Sequence, residues 1–363
     1  MPMDNKFGKI SRISACAALK DGRTILEDLS FTAPYKIMMP FEKENGGIQI
    51  MPLCASAGIM AGDSQEFSYH VKEGADLEVL SQSFEKIHKM DEGSAARTIE
   101  VQVDKNATLY YYPQPVIPFA QSVFDSKMTI HLEDATSRLF LLEIISCGRN
   151  AHDERFQYRR FSSKVLLYRG DKLIYRDNTR YEPDKMPMEG IGMYEGYTHM
   201  ANLFLSKICS RDGENCSQES GTVKTADSTI NLELQEKIWQ ILDEDSEIDG
   251  GVTRLTTGDL ALRIFGHRAQ KLQQVAEKSR NYTKQNRNKN GGKSRHQIVD
   301  KLGVGLYTLY VHSLDPFFSL NPVSTKSSPI TSGRFTSIPS VARSFSCSSS
   351  DISFNLSFNS ISL

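Results

Sequence analysis

The chain has 363 residues, 24% of them charged, and a formal net charge of −1. That length can bury one large core or two ordinary ones. The charge is split, with 33 Lys/Arg against 41 Asp/Glu in residues 1–279 and 10 against 3 in residues 280–363; an acidic body argues against nucleic acid as a partner, because phosphates need a cationic face.

Residues 57–63 (AGIMAGD) form a Gly-rich turn that ends on an acid. Residues 77–90 (LEVLSQSFEKIHKM) alternate apolar and polar positions, which places Ser81, Gln82 and Ser83 in mid-strand. Residues 96–103 set Ile99, Val101 and Val103 against polar neighbours, the period of a half-buried strand. Residues 109–122 (LYYYPQPVIPFAQS) read as an aromatic strand broken by three prolines. Met128, Ile130 and Leu132 alternate in residues 126–134. Residues 138–148 (RLFLLEIISCG) form a nearly continuous apolar run, suited to a strand buried on both faces and interrupted by Glu143. Residues 155–183 read as a strand, a turn at Gly170 and Asp171, and a returning strand that carries Asp177.

Residues 209–229 are polar and loop-like. Residues 230–244 place Leu234, Ile238, Ile241 and Leu242 on one helical face, with Asn231 as the N-cap. Residues 258–278 place Ala261, Phe265, Ala269 and Leu272 on one stripe of a second helix, weakened by about 1 kcal/mol at Gly266. From residue 279 the chain becomes basic and Asn-rich, then Ser-rich. Such a segment buries too little apolar surface to offset its ordering entropy, although residues 298–314 are apolar enough for a local element. No internal repeat is evident. The fold expected is mainly β: a layered β-sheet scaffold over residues 8–278, with two α-helices near its C-terminal side, followed by a mostly disordered tail over residues 279–363.

Signatures of catalysis are missing. No G-x-S-x-G elbow, H-E-x-x-H pair or Rossmann glycine spacing is present, and the Gly292-Lys293-Ser294 end of a phosphate loop lacks its first glycine and its preceding strand. No histidine pairs with another histidine or a cysteine at ligand spacing, so no closed metal cage can be read. Cys16, Cys54, Cys147, Cys209, Cys216 and Cys347 are scattered without a CxxC pair, the pattern of reduced thiols. The N-terminus has no apolar signal segment and the chain has no run of about 18 apolar residues, so a soluble, cytoplasmic protein without membrane contact is expected. Acids and hydroxyls in the strand region are more suggestive: Asp63, Glu66, Ser81, Ser83, Glu143 and Asp177. A carboxylate in a buried strand needs a partner or a wet cavity, or it becomes neutral. On residues alone these groups form a buried polar network, a solvated face or the lining of a polar internal passage.

Several segments together resemble one family over about residues 10–275. These are LEDLSFTAPYKIMMPF (26–41), AGIMAGD with Ala57 at the family's first glycine, SCGRNAHDERF (146–156), GYTHMANLFL (196–205) and GGVTRLTTGDLALRIFGHRAQKL (250–272). In the third, Gly148, Arg149, Glu154 and Phe156 match and Asp153 stands at the second glycine. The pieces resemble the urease accessory proteins of the UreD (UreH) family. That resemblance implies a non-catalytic metallochaperone scaffold that binds UreF, through it the GTPase UreG, and urease apoprotein. It also implies Ni²⁺ in transit through a polar tunnel, with no permanently bound cofactor. Asp63 falls at the family's tunnel-associated acid, and Ser81, Ser83, Glu143 and Asp177 at or near other lining positions. With Glu66 beside Asp63, these six are the candidates for transient nickel contact. The competing expectation is a β-scaffold interaction module with no direct metal role. The segment from about residue 279 has no counterpart in the resemblance, and is read as a lineage-specific extension or a read-through or frame error.

Overall fold

The computed structural model describes residues 10–206 and 225–290. Cys209, Cys216, Cys347, most of the expected loop and the tail beyond residue 290 lie outside them. Among the described residues two large sheets face each other. A seven-stranded sheet runs in the order Lys172–Tyr181, Arg160–Arg169, Val123–Leu132, Ala95–Val103, Ser64–Val71, Ile10–Lys20, Arg23–Phe31. A ten-stranded sheet has the main order Ile248–Arg254, Leu260–Gly266, His199–Leu205, Arg138–Ser146, Thr108–Tyr111, Asp76–Val79, Ile48–Ile50, Phe41–Glu42, with Val116–Pro118 and Glu85–Ile87 attached. Tyr35–Ile37 pairs with Pro52–Cys54 in a separate ribbon.

The chain crosses between the sheets on successive long strands. Ser64–Val71, Ala95–Val103, Val123–Leu132 and Arg160–Arg169 are mutually parallel in one sheet. The strands that follow the first three, Asp76–Val79, Thr108–Tyr111 and Arg138–Ser146, are parallel in the other. Each pair is therefore one coil of a winding chain. The turns between sheets are tied to one another: Glu133 accepts the Lys105 N–H at 2.8 Å and Thr136 accepts the Asn106 N–H at 2.8 Å. Antiparallel strands finish the winding, Arg23–Phe31 at one side and Lys172–Tyr181 at the other.

Side-chain alternation dictates where the core sits. In Ala95–Val103 every odd residue is buried and every even one is exposed. Ile99, Val101 and Val103 join Phe67, Val71, Leu77, Leu109, Met128, Ile130, Leu139, Leu141, Val165 and Leu167 in one inter-sheet core. A second inter-sheet core holds Ala95, Phe124, Ile145, Tyr158, Phe161, Tyr194 and Met200. Phe140, Leu142 and Ile144 point the other way from Arg138–Ser146 and meet the helices. That strand is buried on both faces, as its apolar run implies.

The helices are α1, Thr225–Asp243, and α2, Ala269–Asn290. Leu234, Ile238, Ile241 and Leu242 of α1 are all buried, the face read from the sequence. Helix α1 begins at Thr225, so Asn231 lies inside it and is not its N-cap. The second helix starts later than expected. Leu260–Gly266 is a strand whose residues Leu260, Leu262 and Ile264 alternate into the core, and Gly266 ends it. The stripe Ala261, Phe265, Ala269, Leu272 combined half a strand with half a helix. Helix α2 continues beyond Lys278, with Ser279 and Arg280 buried. Arg280 pairs with Glu78 at 3.3 Å, and Lys43 lies 2.9 Å from the same carboxylate. Burial raises the Glu78 pKa, but Lys43 and Arg280 outweigh it and bring it down to about 2.

Residues 81–83 are a further correction. They form the bend between Asp76–Val79 and Glu85–Ile87, not mid-strand. Their short alternation continues across a break in pairing. Likewise Pro113 and Pro115 separate Thr108–Tyr111 from Val116–Pro118, because proline cannot donate to a ladder.

Candidate functional site: a polar layer between the sheets

The two inter-sheet cores are separated by a row of polar residues at one level. In the seven-stranded sheet Ser11, Gln65, Arg97, Ser126, Ser163 and Thr179 are register partners in succession. Across the gap, Glu143, Asn202 and Arg263 are partners in the ten-stranded sheet. Each replaces an apolar residue in the inward phase of its strand: Arg97 lies between Ala95 and Ile99, and Glu143 between Leu141 and Ile145.

One half of the layer centres on Arg97. Its Nε donates to Gln65 Oε1 at 2.8 Å, and it pairs with the Glu85 carboxylate. Gln65 Nε2 donates to the Tyr35 hydroxyl at 2.7 Å. The guanidinium lies over the rings of Phe67 and Phe124, 5.2 and 5.4 Å from their centroids. Burial opposes its charge, but the groups around it, Glu85 first, together outweigh burial and keep the pKa above the ordinary arginine value.

The other half holds Glu143 and Asp177. Ser163 Oγ donates to Glu143 Oε1 at 3.0 Å. Asp177 Oδ2 accepts from Thr179 Oγ1 at 2.8 Å and from Asn202 Nδ2 at 3.2 Å, and its Oδ1 accepts from Arg263 at 2.6 Å. Arg263 Nε also donates to Asn202 Oδ1 at 2.9 Å. Burial, then the charge of Asp177, raises the Glu143 pKa to about 7, against the smaller opposing effects of Ser163 and Arg97. Glu143 lies between the two sheets yet keeps part of its surface accessible. Buried charges of this kind seldom add stability over an apolar filling. A raised carboxyl beside a second acid makes this half of the layer a candidate site.

The structure brings Glu143 and Asp177 together and leaves the other candidates outside the layer. Asp63 Oδ2 accepts the Met60 N–H at 2.8 Å and closes the Gly-rich turn just before Ser64–Val71. Glu66 faces outward and pairs with Arg12 at 2.8 Å. Ser81 Oγ accepts the Gln114 N–H at 2.7 Å, and Ser83 is exposed. The residues missed by sequence reasoning are Gln65, Glu85, Arg97, Ser163, Asn202 and Arg263. Arg97 carried a signal, since it falls in phase with Ile99, Val101 and Val103. Asn202 carried another, as a lone amide in the apolar run of His199–Leu205.

The third motif folds as a tight turn beside the second core. Gly148 has φ +131°, and a Cβ there would lie 2.0 Å from the Glu154 carbonyl oxygen. Arg149 pairs with Glu154 and sits 4.2 Å above the Phe119 ring. Asp153, at the position of the second glycine, adopts φ +56°, a left-handed conformation that aspartate tolerates. Among the described residues Cys16, Cys54 and Cys147 are free. Among the described residues no group of three or more His, Cys, Asp and Glu could hold a metal ion, and no helix is long and apolar enough to cross a membrane.

Comparison with known proteins agrees with these motifs. The family model described as UreD urease accessory protein matches residues 11–295. The urease accessory protein UreD of Acetivibrio thermocellus is 33% identical over 280 residues, covering 77% of this chain and 99% of that protein. The urease accessory protein UreH of Helicobacter acinonychis is 34% identical over 275 residues, covering 76% of this chain and 93% of its own. A more distant relative, the UreD of Flavobacterium johnsoniae, is 26% identical over 264 residues. Matched from the first strand to beyond the end of α2, and aligned with relatives over nearly their whole length, the chain belongs to the UreD/UreH family of urease accessory proteins, which are not catalysts.

Proposed function

We propose that the chain conducts Ni²⁺ toward urease apoprotein through the polar layer between its two sheets. Its part in urease maturation follows from its family; the route is the further step. The observation that carries it is the meeting of Glu143 and Asp177, far apart in sequence, in one layer, where Asn202, the register partner of Glu143, donates to Asp177. Ni²⁺ accepts oxygen ligands, and delivery needs binding weak enough to release. Two carboxylates with hydroxyl and amide neighbours meet that need, where a closed thiolate or imidazole cage would retain the ion. In this reading Asp63, Glu66, Ser81 and Ser83 contribute at most to the approach of the ion.

The proposal includes the partners that the family implies: UreF in direct contact, UreG through UreF, and urease apoprotein as recipient, all in the cytoplasm. The second reading is a scaffold that only holds partners together. The complete set of donors on Asp177 favours it, since that carboxylate needs no ion to be satisfied. The variant Glu143→Gln with Asp177→Asn separates the two. The passage reading expects normal assembly with UreF and urease but at least about tenfold slower urease activation, the loss of roughly 1.4 kcal/mol of ion stabilisation. Undiminished activation with normal assembly would leave only the scaffold.

A further inference from the structure

The polar layer reaches the surface at Arg263. Lys172–Tyr181 is the edge strand of one sheet, and Leu260–Gly266 lies one strand in from the edge of the other. At this side of the sandwich the Arg263 side chain is 49% accessible, whereas the Asp177 it binds is only 11% accessible. The arginine backbone is fixed, since its neighbours Leu262 and Ile264 are buried against the helices. Its side chain is long, half in water and able to swing outward. Its guanidinium donates to Asp177 at 2.6 Å and to Asn202 at 2.9 Å. It therefore supplies the positive charge, and fills the place, that a cation at Asp177 would need.

We infer that Arg263 is a cation latch: it closes the mouth of the layer onto Asp177 when no ion is there, and an ion arriving at Asp177 and Glu143 displaces it outward. This inference rests on the nickel-passage reading. Arg263 acts through Asp177 and is a positioning residue, not a ligand. Its return to Asp177 competes with the ion and speeds release. With its charge removed, only Asn202 and Thr179 remain on Asp177, and the two acids hold a divalent cation more tightly.

The test uses the full-length chain, with Ni²⁺ binding followed by equilibrium dialysis and Ni²⁺ release followed on addition of a chelator. Arg263→Gln should bind Ni²⁺ about two- to fivefold more tightly than the natural chain and release it correspondingly slowly, the effect of removing a half-exposed ion pair. Arg263→Lys, which keeps the charge, should stay near the natural value. Adding Glu143→Gln and Asp177→Asn to Arg263→Gln should abolish the gain. Arg263→Met, which keeps the apolar stem over the sheet edge, carries the same expectation if the glutamine variant fails to fold. Equal affinity in the natural chain and Arg263→Gln would overturn the latch, as would a gain that survives removal of both acids. Failure of the passage itself looks different: the variant lacking both acids would then activate urease normally, whatever Arg263 does.

Discussion

Replacing Glu143 by glutamine keeps its size and leaves an oxygen to accept the Ser163 hydroxyl, but removes the titration. In the fold this carboxyl titrates at about 7 against an ordinary 4.5. At about 1.4 kcal/mol per tenfold change in proton affinity, ionising it in place costs about 3 kcal/mol. Between pH 4.5 and 7 the folded chain keeps a proton that the unfolded chain has released. Its contribution to stability therefore falls as pH rises through that window and levels off above it. His199 acts in the opposite sense, because burial brings it down to about 4 and the folded chain resists its protonation as pH falls below 6.5. That effect is common to both proteins and cancels in their difference. The assay is urea unfolding of the natural chain and Glu143→Gln from about pH 5 to about pH 8, with free energies extrapolated to water. The stability of the natural chain relative to the variant should drop by about 2–3 kcal/mol across that range. Parallel pH profiles would refute the burial and charge coupling assigned to Glu143.

Two other substitutions test the frame around the layer. Gly148→Ala should destabilise the chain by about 3 kcal/mol or more, because the new methyl would meet the backbone oxygen of Glu154 at a left-handed position; an unchanged urea midpoint would show that the turn can relax. Arg280→Ala should cost about 2–4 kcal/mol by removing one of the two cations on buried Glu78, and Arg280→Lys should recover part of that loss. A loss below about 0.5 kcal/mol, the size of an ordinary surface substitution, would mean that α2 does not depend on this anchor.

Much of the β architecture could be read from the sequence because its strands are long and regular. Ala95–Val103 alternates without exception, and residues 139–145 are apolar throughout except where Glu143 stands. That exception makes Glu143 legible as a candidate, since a carboxylate between leucine and isoleucine needs a reason. Its neighbour Asp177 stands out as an acid in the returning strand, and the family resemblance points to it again. The layer around them was not legible. Arg97, Ser163 and Asn202 come together through strand register, which pairs residues far apart in the chain. The second helix was misjudged for a local reason: the spacing from Ala261 to Leu272 mimics one helical stripe, while the period-two run of Leu260, Leu262 and Ile264 is only seven residues long as a strand. Asp63 shows the converse limit. Its place after a Gly-rich turn was visible, but not that its carboxylate closes that turn on Met60.

The winding of the chain from sheet to sheet places constraints on how this protein can change. Gln65, Arg97, Ser126 and Ser163 occupy equivalent points of successive turns of the winding, although the segments between them differ in length. Extra residues in the connections leave that alignment untouched. One residue gained or lost within Ala95–Val103, however, would exchange its two faces, sending Arg97 to solvent and Ile99 with it. An inserted full turn of the winding would instead extend the row by one more position, as repeat proteins grow by whole units. Variation in length among relatives should therefore collect in the connections or come as complete turns, and the strands that carry the layer should keep their spacing.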